Sequence, residues 1–189
     1  FLPLALGRPT DLDEQNEHRN LWQEALTDVL CAPRVFVHRD YHAQNLIWMP
    51  ARRGIARVGM VDFQDAVAGH AAYDLISLLE DARRDVSPEL ADAMTAHYLA
   101  GRGHCSNLEE FVSAAAILAA QRNAKIVGIF ARLAKRDGKP SYLSYLPRVW
   151  RYMEQDLEAP ALKNLRAWYE RMVPPEARIG VWRVQGERG

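Results

Sequence analysis

The stretch Val35-Phe36-Val37-His38-Arg39-Asp40-Tyr41-His42-Ala43-Gln44-Asn45-Leu46-Ile47-Trp48 constrains this chain more than any other. A short apolar run passes into a polar loop that ends in Asn, and a second apolar run follows. That order predicts strand, loop, strand, with polar groups held at the end of an apolar wall. An echo comes at Val61-Asp62-Phe63-Gln64-Asp65, where Asp again follows an apolar run. Residues 46–49 and 56–61 flank the turn-rich Pro50-Ala51-Arg52-Arg53-Gly54, which predicts a hairpin. Pairing those strands would bring Asn45 and Asp62 to the same end, opposite the turn.

Each polar residue has a bland reading when taken alone, because Asp or Asn at a strand end is usually a turn or cap residue. In register they form a set. Phosphoryl transfer needs one carboxylate to orient and deprotonate a hydroxyl, with an amide and a second carboxylate to hold magnesium. The spacing of His38, Asp40, Asn45 and Asp62 matches the His-Arg-Asp-x-x-x-x-Asn and Asp-Phe-Gly signature of protein kinases, with Gln64 in place of the glycine.

The rest of the chain predicts helices. Residues 1–9 carry two prolines and a glycine and predict a linker without a helix. Thr10 or Asp11 can cap a helix bearing Trp22, Leu26, Val29 and Leu30, which Pro33 closes. Asp74 stands near the start of a helix with Leu75, Leu78 and Leu79 facing inward, where it could be a simple cap. Ser87-Pro88-Glu89 opens the next helix, and Asn107 is a candidate cap for the longest one, which Gly138 ends. Arg122 and Asn123 within it could line a cleft or occupy an exposed face. Pro147 and Pro160 can begin two further helices, and residues 173–189 predict a tail. The expected fold class is mainly α, helices around a small β-hairpin that bears the site, in a single domain.

Composition excludes several functions. Lys plus Arg and Asp plus Glu both number 24, so no net field draws the chain to nucleic acid or an anionic membrane. Cys31 and Cys105 form no CxxC pair or disulfide framework, which fits a reducing cytoplasm.

Residues 35–85 resemble the aminoglycoside/choline phosphotransferase family, the small-molecule branch of the protein-kinase-like fold. The matching segments are residues 38–45, residues 61–65 and Ala72-Tyr73-Asp74-Leu75. Within that family the flanking Gln-Asp-Ala-Val-Ala-Gly-His is most similar to bacterial cell-wall sugar kinases, which phosphorylate N-acetylmuramate and N-acetylglucosamine at the anomeric hydroxyl. The resemblance implies ATP as co-substrate and Mg2+, with Asp40 as catalytic base and Asn45 and Asp62 as metal ligands. It makes His38 a structural member of the catalytic loop and Asp74 the carboxylate that accepts backbone N–H bonds from that loop. Asp65 could face metal or substrate, or merely bond its own turn. The short interval from Asp62 to Asp74 leaves no room for a peptide-docking loop and favours a small-molecule acceptor.

No glycine-rich nucleotide loop or strand lysine precedes the site, and the lysines begin at Lys125. The chain therefore reads as the C-terminal lobe alone, with residues 1–9 at the hinge, the N-terminal nucleotide-binding lobe absent and an apolar face exposed toward it. A kinase of choline, an aminoglycoside or another small alcohol is the near alternative. A non-catalytic pseudokinase-like binding module is the distant one.

Overall fold

The computed structural model describes residues 1–102 and 108–178. In chain order its elements are α1 (Leu2–Leu6), α2 (Leu12–Cys31), β1 (Arg34–Val37), β2 (Leu46–Trp48), β3 (Val58–Met60), β4 (Val67–His70), α3 (Tyr73–Leu79), α4 (Pro88–Gly101), α5 (Leu108–Arg136), α6 (Leu146–Asp156), α7 (Lys163–Met172) and α8 (Pro175–Arg178). The fold is mainly α, as the periodicity predicts. Contacts group it into two compact units, one of residues 28–118 and one of residues 1–27 with the described residues from Ala119 on. No helix among the described residues is long and apolar enough to cross a membrane.

The unit of residues 28–118 carries two small antiparallel sheets. The predicted hairpin is present, with Leu46 opposite Met60 and Trp48 opposite Val58. A second pair joins β1 to β4, Arg34 opposite His70 and Val37 opposite Val67. The sequence did not predict β4, because Ala66-Val67-Ala68-Gly69 is short and reads as loop. Gly69 admits that pairing: a Cβ there would meet Val37 Cγ2 at 3.1 Å. Beneath the sheets, the Tyr98 hydroxyl donates to the Ala71 carbonyl at 2.7 Å, and the Arg102 guanidinium lies 5.1 Å from the Phe111 ring centre. Ser87 caps α4 as expected, its hydroxyl accepting from Leu90 N.

In the other unit the predicted linker is a short helix. Pro3 is accommodated because it lies in the first turn, where no N–H is required, and Gly7 at φ 64° ends the turn. Asp11 and Glu14 then form a reciprocal cap of α2, Asp11 Oδ1 accepting from Glu14 N at 2.8 Å and Glu14 Oε2 from Asp11 N at 3.0 Å. The core is aromatic and aliphatic. Val149, Trp150 and Met153 of α6 and Leu165, Trp168 and Tyr169 of α7 are buried, as are Val127 and Phe130 of α5. Trp168 Nε1 donates to Glu17 Oε2 at 3.1 Å, fixing α7 to α2.

Two expectations are corrected here. Asn123 is fully buried and donates to Asp156 at 3.0 Å, and Arg122 is buried too, so that stretch of α5 is no exposed face. Residues 173–178 of the predicted tail are structured, and the rest of it lies outside the described residues. Val173 and Ala177 are buried and α8 follows them, with Arg178 Nε donating to the Val173 carbonyl. The Asn107 cap and Cys105 lie outside the described residues.

Met153 makes no contact with water. Met153→Ala should cost about 2–5 kcal/mol, read as a lowered urea midpoint at unchanged slope. Burial also pushes the His18 and His70 imidazoles below the ordinary value of 6.5, helped at His70 by the Arg102 charge. The fold favours their neutral forms, so the unfolded chain takes up protons first. Their stabilisation is complete above about pH 6.5 and declines as pH falls through the depressed values. The urea midpoint should therefore drop between pH 7.5 and 5, less steeply in His18→Gln.

Candidate active site

The site is built from the ends of short strands. At the end of β1 the chain leaves Val37, and Arg39 turns back at φ 73°, in the left-handed region that a non-glycine residue seldom occupies. The Asp74 carboxylate holds that turn. Its Oδ2 accepts from His38 N at 2.7 Å and its Oδ1 from Arg39 N at 3.0 Å. Asp74 belongs to the first turn of α3, but it is no cap, since its oxygens go to the distant loop rather than to its own helix. Ser77, one turn on and fully buried, directs its hydroxyl toward the Arg39 carbonyl at 3.5 Å.

His38 is wholly buried and spans the two halves of the site. Its Nε2 donates to the Val61 carbonyl at 2.9 Å, tying the loop of residues 38–45 to the strand that leads into Asp62. The direction follows from the acceptor, because a carbonyl cannot donate; the proton therefore sits on Nε2, and Nδ1 has no partner. The Tyr41 ring packs edge-on against this imidazole at 5.9 Å. Burial, and then the Asp74 charge, push the Tyr41 phenol above its ordinary range.

The loop closes on its own backbone. The Asp40 carbonyl accepts from His42 N at 3.0 Å and from Asn45 Nδ2 at 2.9 Å, while Asp40 itself is exposed. The Asn45 carbonyl accepts from Val61 N at 3.1 Å, so Asn45 lies opposite the residue just before Asp62 at the open end of the β2–β3 pair. Asp62 is the second non-glycine residue in the left-handed region, at φ 67°, and its Oδ1 accepts from Gln64 Nε2 at 2.8 Å. Arg39 reaches across to donate to the Asp65 carbonyl at 3.2 Å. Asp65 is thus engaged through its backbone, and its exposed carboxylate faces outward.

The donor set is oxygen only. Asn45 commits its amide NH2 to Asp40 and keeps Oδ1, and Asp62 keeps one carboxylate oxygen outside its bond to Gln64. Hard oxygen donors of this number suit Mg2+, which retains several waters and seldom takes an all-protein cage. Among the described residues no group of three or more His, Cys, Asp or Glu side chains is placed to hold a metal ion.

Several supports escaped the sequence. The hydroxyl of Ser77, the Gln64 bond to Asp62 and the reach of Arg39 involve residues with no motif of their own. The replaced glycine after Phe63 was the one signal that Gln64 differs in role.

A profile of the phosphotransferase enzyme family matches residues 3–111, a range that contains the whole of this site. Three curated relatives are N-acetylmuramate/N-acetylglucosamine kinases. That of Caulobacter vibrioides is 53% identical over 144 residues, 76% of this chain and 39% of the relative. That of Pseudomonas putida is 34% identical over 79% of the chain and 45% of the relative, and that of Neisseria meningitidis serogroup B 36% identical over 82% and 46%. The chain spans less than half the length of these relatives.

Asp74→Ala removes the acceptor of two backbone N–H groups. It should lower stability by about 2–3 kcal/mol, and hydrogen exchange at the amides of His38 and Arg39 should accelerate more than exchange in α4.

Proposed function

Because the chain belongs to the phosphotransferase enzyme family, we propose that it carries the acceptor- and metal-holding part of an ATP- and Mg2+-dependent sugar kinase. Its acceptor on this reading is the anomeric hydroxyl of N-acetylmuramate or N-acetylglucosamine, released when the cell wall is recycled. The observation that supports it most is the joint placement of Asp40, Asn45 and Asp62, in a chain whose relatives carry that kinase name.

In the proposed mechanism the Asp40 carboxylate accepts a hydrogen bond from the acceptor hydroxyl and takes its proton as the oxygen attacks the γ-phosphorus. The new P–O bond forms as the bond from the γ-phosphorus to the bridging oxygen breaks, and ADP leaves with that electron pair. Asn45 Oδ1 and the Asp62 carboxylate would hold Mg2+, which neutralises charge on the phosphate oxygens when bound. His38 and Asp74 do not touch the reactants. They position the loop, His38 by joining it to Val61 and Asp74 by fixing the turn at Arg39. Asp65 stands beyond Asp62 as a further contact for substrate or metal.

Nucleotide grip would come from the part of the relatives' length that this chain does not span. The apolar side chains on the site unit support that arrangement. Phe36 is 63% exposed, and Ile47, Trp48, Met60 and Phe63 are exposed with it, a combination that water alone seldom meets. Dependence on ATP and an amino-sugar acceptor points to the cytoplasm.

The test is phosphate transfer by the complete protein, with ATP and Mg2+, to N-acetylmuramate, N-acetylglucosamine, choline and an aminoglycoside. Transfer to the amino sugars is expected, and Asp40→Asn should slow it roughly 10²–10⁴-fold. Transfer to choline or the aminoglycoside alone would overturn the acceptor, and an undiminished Asp40→Asn would overturn the role of Asp40.

A further inference from the structure

The two sugars in the relatives' name share the anomeric hydroxyl and the acetamido group. N-acetylmuramate also carries a lactyl ether at C3, which ends in a carboxylate. A site that takes this sugar has to answer that charge. Around the proposed reaction centre the side chains are acidic or neutral: Asp40, Asp62 and Asp65 are exposed, and Asn45 and Gln64 are amides. Like charges brought together across an interface disfavour binding, so an anionic acceptor needs a cation here. That cation has to stand beside Asp40, because C3 is close to the reacting carbon in the ring.

Residues 28–118 contain no lysine, so a permanent positive charge in this unit comes from arginine. Three arginines lie at the hairpin turn, opposite the Asn45 end, and Arg34 pairs with His70 at the outer end of β1. Arg102 stacks on Phe111 at the end of α4. Arg83 and Arg84 follow the last turn of α3, whereas its first turn holds the loop. Arg39 adjoins Asp40 in sequence, and its guanidinium reaches the segment beyond Asp62, donating from Nη1 to the Asp65 carbonyl at 3.2 Å. It is half-buried, and among the described residues it makes no ion pair. One bond to a neutral carbonyl leaves the other N–H donors of the fork open, and a guanidinium fork can meet a carboxylate side by side.

The backbone adds a second observation. Arg39 sits at φ 73°, a conformation that glycine adopts freely and arginine only at a cost. The two bonds that Asp74 accepts from this turn come from backbone N–H groups and need no side chain at Arg39. The guanidinium is therefore what the arginine adds to a turn that glycine would make more cheaply, and strain of this kind points to function.

We propose that Arg39 is a specificity-determining residue for N-acetylmuramate, its guanidinium pairing with the lactyl carboxylate while the anomeric hydroxyl meets Asp40. The proposal rests on the sugar-kinase reading above. N-acetylglucosamine lacks the lactyl group, so it is taken without this pair and leaves the guanidinium hydrated.

Initial rates of the complete protein with N-acetylmuramate, its methyl ester and N-acetylglucosamine test the assignment, at constant ATP and Mg2+. Acid and ester are nearly alike in shape and differ in charge. The unaltered protein should show kcat/KM about tenfold higher for the acid than for the ester, with the difference in KM. Arg39→Gln should erase that preference and lower kcat/KM for N-acetylmuramate about tenfold more than for N-acetylglucosamine. Arg39→Lys should keep part of the preference, which separates loss of charge from loss of the loop. No preference for the acid in the unaltered protein, or losses in Arg39→Gln that are equal for all three acceptors, would overturn the proposal and leave the kinase reading standing. No transfer to either sugar by the unaltered protein would overturn both.

Discussion

The site depends on one carboxylate. Asp74 sits in the first turn of α3 and accepts two consecutive backbone N–H groups, those of His38 and Arg39. Bonds to an ionised acceptor are about twice as strong as neutral ones, and two of them oppose the cost of about 1–2 kcal/mol for a left-handed residue at Arg39. Once Arg39 is held there, the chain reverses direction after β1 and Asp40 emerges on the exposed side. The Arg39 guanidinium can then reach the Asp65 carbonyl. Replacing Arg39 with a residue of lower conformational cost would not reproduce this last bond.

A second constraint joins the loop to the metal-side residues. His38, with its Nε2 proton on the Val61 carbonyl, and the Asn45–Val61 backbone bond both end on the residue just before Asp62. Asp62 then turns left-handed as Arg39 does. The two polar side chains proposed to hold Mg2+ thus adjoin a three-residue strand pair and one buried imidazole.

Much of this was legible in the sequence because it is local. The hairpin could be read from two apolar runs and the turn between them. The start of α2 was legible as a cap at Thr10 or Asp11, and the bonds between Asp11 and Glu14 decide for Asp11. What could not be read was nonlocal or depended on context. The β4 strand forms only because Gly69 lets Val37 close on it, and the helix at Leu2–Leu6 forms because a proline is harmless in a first turn. Asn123 appears polar in an apolar helix, and only its bond to Asp156 shows why burial is tolerated. The roles of Ser77 and Gln64 were hidden for the same reason, since a hydroxyl or amide gains meaning from the atom it faces.

The central claim is that Asp40, Asn45 and Asp62 act as one phosphoryl-transfer site, and a double-mutant cycle tests it most directly. Rates of phosphate transfer to N-acetylmuramate would be compared for the complete protein, Asp40→Asn, Asp62→Asn and the double variant. Residues that act as a unit lose most of their effect with the first substitution. The account predicts a double variant scarcely slower than the worse single one. Losses that multiply, or a single substitution without effect, would contradict it.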